Sequence, residues 1–173
     1  MQSKHKTPYH WSRRDKIVYM FVMLPFIVAF AGVIVLLANI SFVLSVVFVA
    51  LYLLGNVFQA ACCVGCPYQG RFCPAAFGCY PANWLSTRRY AGRKHDPAFF
   101  ERNATRGELS VISALVLACV GLATINGWYV VILLALVGVH FGLLLTLFCP
   151  KCGYAGTCPA GQMAGRLFKR QAG

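Results

Sequence analysis

At 173 residues, with 59% of them hydrophobic and only 12% charged, the chain is too apolar for a soluble domain, which runs nearer half apolar and one quarter charged. Sixteen Lys and Arg against four Asp and Glu give a net charge of +12. In so apolar a chain that excess is read by position, and no nucleic-acid, phosphate-loop, dinucleotide or Ser-His-Asp signature accompanies it.

A basic N-terminal segment, 1–16, precedes two apolar runs, Ile17 to Ala38 and Ile40 to Ala61, which together form a first hairpin over 17–61. A cysteine motif at 62–80 and a basic, aromatic loop at 81–108 follow. Two further runs, Leu109 to Ile125 and Trp128 to Phe148, form a second hairpin over 109–148, and 149–173 carries a second cysteine motif with a basic tail. Each run has roughly 17 to 22 residues, enough at about 1.5 Å per residue to cross a hydrocarbon core of about 30 Å as a helix. Lipid offers the backbone no hydrogen-bond partners, so a helix is required. Pro25 is expected to kink the first span, and Thr105 with Glu108 reads as a T-x-x-E capping box ahead of the third. The basic start, apolar run and Ala29-Phe30-Ala31 imitate a cleavable signal, but cleavage would remove a helix that the repeat described below needs.

The turns at Asn39 and at Asn126-Gly127 carry no charge, so every Lys and Arg falls on one side of the spans. By the positive-inside rule that side is cytoplasmic, which predicts a multi-pass cell-membrane protein with both termini and both cysteine motifs in the cytoplasm. No Asp, Glu, Lys or Arg lies within a span, which argues against an ion-coupled transporter.

Shifting the sequence by 86 places Cys63, Cys66, Tyr68 and Gly70 on Cys149, Cys152, Tyr154 and Gly156; with one residue removed, Cys73-Pro74-Ala75 falls on Cys158-Pro159-Ala160. Asn39 and Asn126 precede the first cysteine of each motif by 24 and 23 residues. The expected fold is therefore an all-α integral membrane protein of four transmembrane helices, built as two repeated hairpins about a pseudo-twofold axis along the membrane normal, each hairpin followed by a cysteine-rich cytoplasmic loop.

Cytoplasmic thiols stay reduced, so these cysteines point to metal rather than to a disulfide framework. Two thiolates spaced C-x2-C can bind one ion from a single tight turn, and nearby glycines let backbone amides face sulfur. Cys149-Pro150-Lys151-Cys152-Gly153-Tyr154 resembles the metal knuckle shared by zinc ribbons and rubredoxins, which implies tetrahedral thiolate ligation. Cys-Pro, present at Cys73 and Cys158, also ends many iron-sulfur ligand runs. The candidate ligands are Cys63, Cys66, Cys73, Cys79, Cys149, Cys152 and Cys158, holding an iron-sulfur cluster or mononuclear iron, with zinc as the alternative, in one shared site or two. Cys119, inside a span, reads as a packing residue.

His140 is the only histidine within a span. A bis-histidine haem needs two, so that cofactor is not expected; His140 is a candidate contact for a quinone or carbonyl, or else a neutral histidine bonded to a neighbouring backbone. Trp84, Tyr90, Phe99 and Phe100 among basic residues make the 81–108 loop an interfacial segment on anionic lipid, or a docking face for an acidic soluble partner.

Three functions fit. The first is an electron-transfer subunit linking a soluble donor to a quinone or a larger membrane complex. The second is a structural zinc protein that scaffolds an assembly. The third is a quinone-linked thiol-disulfide oxidoreductase: two C-x2-C pairs on four spans resemble the families of bacterial disulfide-bond formation protein B and vitamin K epoxide reductase, which act on the opposite side of the membrane. The partners expected are the lipid bilayer and a membrane complex or acidic redox protein, with no nucleic acid.

Overall fold

The computed structural model describes residues 9–66, 68–74, 80–94 and 96–152. Five α-helices and one short turn of 3₁₀ helix carry this part of the chain: α1 Arg13–Ile40, α2 Phe42–Cys62, α3 Tyr80–Arg89, α4 Pro97–Ile125, α5 Gly127–Leu147 and the 3₁₀ turn Cys149–Lys151. No strand occurs among the described residues. Four of the helices, α1, α2, α4 and α5, are long and apolar enough to cross a membrane. Large apolar side chains such as Phe21, Phe42, Leu53, Ile112, Val120 and Ile132 stand exposed along them, as lipid-facing residues do.

The helix ends follow local chemistry. Ser12 and Asp15 form a reciprocal capping box at the start of α1: the Ser12 hydroxyl accepts from the Asp15 N–H, and the Asp15 carboxylate accepts from the Ser12 N–H. Asp96 caps α4 by accepting from the Ala98 N–H, with Pro97 supplying the fixed φ suited to a first turn. The expected capping box at Thr105 and Glu108 is not formed. Asp96-Pro97 is the stronger start signal, so the helix is already running at Thr105, whose hydroxyl donates to the Glu101 carbonyl 3.0 Å away. The stretch 81–108 thus holds most of α3 and the first turns of α4.

The two outer turns are single extended residues, Ser41 (φ −160°) and Asn126 (φ −165°), whose N–H groups donate to the Leu37 and Leu122 carbonyls. The first turn therefore falls at Ser41 rather than at Asn39, which stays in the last turn of α1. At the second turn Asn126 also accepts from the Trp128 N–H, as the sequence's turn assignment there anticipated.

Packing runs α1 to α2, α2 to α4, α4 to α5 and α5 back to α1, with α2 and α4 in the most extensive contact. That pair is close because glycines face each other. A Cβ on Gly55 would sit 2.9 Å from Val111 Cγ2 and 3.4 Å from the Gly107 carbonyl oxygen, and one on Gly107 would sit 3.1 Å from Gln59 Cγ and 3.4 Å from the Gly55 carbonyl oxygen. Small residues at a crossing let backbones approach, which is how helices gain dispersion contact where lipid removes the hydrophobic drive between them. Leu37 fills the analogous space at Gly121, where an added Cβ would collide with its Cδ2. Polar side chains in the interior bond to backbone: the Ser45 hydroxyl of α2 donates to the Ile34 carbonyl of α1 at 3.2 Å.

Gly107→Leu should force α2 and α4 apart and destabilise the protein by about 1–3 kcal/mol, the usual range for overpacking, read as a lower unfolding midpoint in detergent. Gly138→Leu, on α5 where an added Cβ meets nothing within 4 Å, is the control. Equal midpoints for the two variants would show that the Gly55–Gly107 crossing is not limiting.

Candidate metal centre

Both C-x2-C segments fold as turns closed in the same way. The Cys66 N–H donates to the Cys63 carbonyl at 3.1 Å, and the Cys152 N–H donates to the Cys149 carbonyl at 3.2 Å. The first follows the end of α2, where Gly65 takes a left-handed φ of 73° that few other residues tolerate; the second is the 3₁₀ turn after α5. A turn of this kind brings the two cysteines to one side of a tight loop, the local requirement for bidentate thiolate binding.

The two turns meet at one aromatic cluster. Trp11, Tyr19, Tyr68, Phe148, Val22, Met23 and Leu144 are buried together, and Cys66 and Cys73 of the first motif and Cys152 of the second pack against them with Phe72. Trp11 stands at the centre, its ring centroid 6.3 Å from Tyr68, 6.2 Å from Phe72 and 5.7 Å from Phe148. Tyr19 adds edge contacts to Phe72 and Phe148. The N-terminal segment, the first cysteine turn and the second thus occupy one end of the bundle.

An N-terminal clasp holds them there. The Tyr9 N–H donates to the Tyr68 hydroxyl at 2.7 Å, which ties the segment to the first motif. The Asp15 carboxylate ties it to the second: Oδ1 accepts from Lys151 Nζ at 2.9 Å, while Oδ2 accepts from the Ser12 hydroxyl at 2.7 Å. Asp15 is buried and precedes the apolar run that begins at Ile17. The hydrogen bond from Lys151, followed by that from the Ser12 side chain, holds its carboxyl well below the ordinary carboxylate range, and Asp15 in turn raises Lys151.

The first loop has a second fastening that sequence reasoning missed. Asn83 of α3, buried, accepts from the Gly70 N–H at 2.8 Å and donates to the Tyr68 and Arg71 carbonyls at 3.0 and 2.7 Å. Gln69 spans from the Gly65 N–H to the Ser86 hydroxyl, at 3.3 and 2.8 Å. Gly70, at φ 73°, leaves no room for a Cβ, which would lie 2.9 Å from Thr87 Cγ2. The only legible signal for this fastening was the pair of turn-forming glycines; Asn83 and Ser86 lie on a helix with no motif of their own.

The predicted ligands divide accordingly. Cys66, Cys73 and Cys152 share the aromatic cluster, and Cys63 and Cys149 open the two turns. Cys79 and Cys158 lie outside the described residues. Cys62 points elsewhere, its sulfur 4.0 Å from the Phe100 carbonyl of α4. Among the described residues no three His, Cys, Asp or Glu side chains come together as a set able to hold a metal ion. One observation does suit thiolates. Trp11 Nε1 is buried and has no hydrogen-bond partner among the described residues, although it belongs to the cluster on which three of the cysteines pack. An indole N–H is a donor only, of the kind that stabilises charged sulfur. Lys16, over the Phe72 ring at 5.8 Å, and Lys151 place positive charge on either side.

Cys119 packs beside the buried cluster at the centre of the bundle. His140 is fully buried one helical turn deeper than Leu144. Its Nδ1 lies 2.9 Å from the Val22 carbonyl oxygen of α1, and because a carbonyl only accepts, that nitrogen carries the proton. The ring also packs on Phe26 at 5.3 Å, and Phe26 touches the aromatic cluster. Compared with known protein families, with curated proteins and with solved structures, the chain matches none.

The clasp generates a pH prediction. Asp15 titrates lower in the folded protein than in the unfolded chain, so its contribution is complete above the ordinary value of 3.8 and is lost as the pH falls through its folded value. In a Trp84→Phe, Trp128→Phe background, Trp11 emission should shift to the red as the pH drops below 3.8. Asp15→Asn should show the shifted emission already at neutral pH. If the Asp15→Asn emission stays blue, Asp15 is not what keeps Trp11 buried.

Proposed function

We propose that this is a multi-pass membrane protein that holds thiolate-bound iron, as an iron-sulfur cluster or a rubredoxin-like centre, at the cytoplasmic surface and passes electrons between a soluble donor and a quinone or larger membrane complex. The observation that carries the reading is the convergence of Cys66 and Cys73 with Cys152 on the aromatic cluster around Trp11. The cysteines come from two chain segments far apart in sequence, and Cys66 and Cys152, 86 positions apart, each end a turn closed in the same way.

The repeat supports the same reading. A helix of 28 residues, one extended residue and a helix of 21 precede the first motif; 29, one and 21 precede the second. The proposed architecture is two parallel hairpins about an axis along the membrane normal, which brings duplicated loops together at one end. The excess of Lys and Arg at that end makes it cytoplasmic. Cys63, Cys66, Cys73, Cys149 and Cys152, with Cys79 and Cys158, are the proposed ligands; bound iron would supply one-electron redox chemistry. The chain's own part is to hold the thiolates in preformed turns, to donate from Trp11 Nε1 toward sulfur, to limit water with the Tyr19, Phe72 and Phe148 rings, and to offset negative charge with Lys16 and Lys151. His140, linked through Phe26 to the cluster, is the proposed contact on the membrane side for a quinone.

A structural zinc site is the second reading, favoured by how many non-cysteine contacts already tie this end together. The test is iron, zinc and acid-labile sulfide content, with a visible spectrum, on protein purified anaerobically in detergent. Iron is expected, lost in Cys66→Ser and in Cys152→Ser and retained in Cys119→Ser. Stoichiometric zinc would make the protein a scaffold, and the absence of both metals from intact protein would end both readings and leave thiol-disulfide chemistry.

A further inference from the structure

The clasp leaves one cation uncompensated. A cavity of about 380 Å³ opens between the first turns of α1 and the end of α5, lined by Arg14, Asp15, Val18, Leu147, Phe148 and Lys151. Its polar side holds two cations and one carboxylate, and both oxygens of that carboxylate are engaged, Oδ1 by Lys151 and Oδ2 by Ser12. Arg14 makes no ion pair among the described residues and stands near enough to Lys151 to oppose its charge. The rest of its lining, Val18, Leu147 and Phe148, is apolar.

Among the described residues no second acidic side chain lines the cavity with Arg14. The four acids are Asp15, Asp96, Glu101 and Glu108; residues 1–8 and 153–173 contain none. Asp96, Glu101 and Glu108 belong to the start of α4, which does not line the cavity. Arg14 is exposed and Lys151 half exposed, so both cations can be reached by an anion from outside the bundle, and Asp15 balances only one of them. The one anion abundant at the start of a membrane span is a lipid phosphate, and basic pockets between transmembrane helices suit anionic headgroups.

We infer that the Arg14–Lys151 cavity is a binding site for an anionic phospholipid, with the headgroup phosphate between the two cations and an acyl chain along Val18 and Leu147. The site is independent of the metal reading. It would make the second cysteine turn sensitive to lipid composition, because Lys151 sits between Cys149 and Cys152 and serves Asp15 and the lipid together.

The test is native mass spectrometry of the full chain in detergent, titrated with phosphatidylglycerol, phosphatidylcholine or inorganic phosphate. Intact protein should bind phosphatidylglycerol in preference to phosphatidylcholine. Arg14→Gln should weaken that preference roughly five-fold, the worth of about one cation near an anionic surface. Arg13→Gln removes the same charge from a residue outside the cavity and should leave the preference intact. Equal loss in both variants would reduce the effect to diffuse surface charge and overturn the site. Displacement of phosphatidylglycerol by inorganic phosphate alone would overturn the lipid assignment in favour of a free anion.

Discussion

The second cysteine turn is tied to the start of the bundle through one buried carboxylate with two tasks. Asp15 closes the capping box that starts α1 and, through its other oxygen, receives Lys151 from the far end of the chain. Lys151 is about half exposed, and an ion pair so placed contributes little by Coulomb attraction alone. Its weight is in geometry. Asp15 is buried, so an Asp15 left without its cation would be a desolvated charge with only Ser12 and Tyr9 to face it, and the fold avoids that state by fixing where the second cysteine turn lies. The same segment presents Tyr9 to Tyr68 and Trp11 to three other rings, so residues 9–15 meet both cysteine turns.

The two ends of the bundle are built on different principles. At the outer end a single extended residue reverses each helix pair, and in the middle the helices meet through glycine, alanine and leucine, with Ser45 and His140 donating to carbonyls of α1. Such contacts use what lipid leaves available, dispersion and the few backbone acceptors within reach. At the basic end the contacts are aromatic and hydrogen-bonded, between segments far apart in sequence. A bundle needing only to stay closed would not require that second layer. His140 stands between the two regimes: its bond to Val22 is of the interior kind, while its contact with Phe26 reaches the aromatic layer.

The spans were legible in the sequence because hydropathy is a local property. Helix starts were less so. Thr105-x-x-Glu108 satisfies a capping pattern, but Asp96-Pro97 nine residues earlier satisfies a stronger one, and once α4 is running a threonine hydroxyl turns back to its own helix. Asn39 looked like a turn residue beside Asn126, yet the break falls on Ser41, since both asparagine and serine leave helices easily and local preference does not rank them. The clasp had no local signal at all. Tyr9 and Tyr68 are 59 positions apart, and Asp15 and Lys151 are 136 apart. An acid in a first turn reads simply as a favourable partner for the helix dipole.

The manner in which the cysteine turns are fastened bears on why they are duplicated. The turns themselves are alike, but the segments holding them are not: α3 grips the first loop through Asn83 and the Gln69–Ser86 bond, while the second turn is held through Lys151 by the chain's N-terminal segment. Asn83 and Ser86 of α3 bond to the first loop, and within residues 9–15 Tyr9 bonds to Tyr68 and Asp15 to Lys151. Polar fastening of this sort fixes position at a cost in chain entropy without adding much buried apolar area, so its return is in geometry. Around the cysteine turns the contacts are polar and aromatic, with a buried indole N–H that has no partner among the described residues, whereas Cys119 packs on apolar side chains alone.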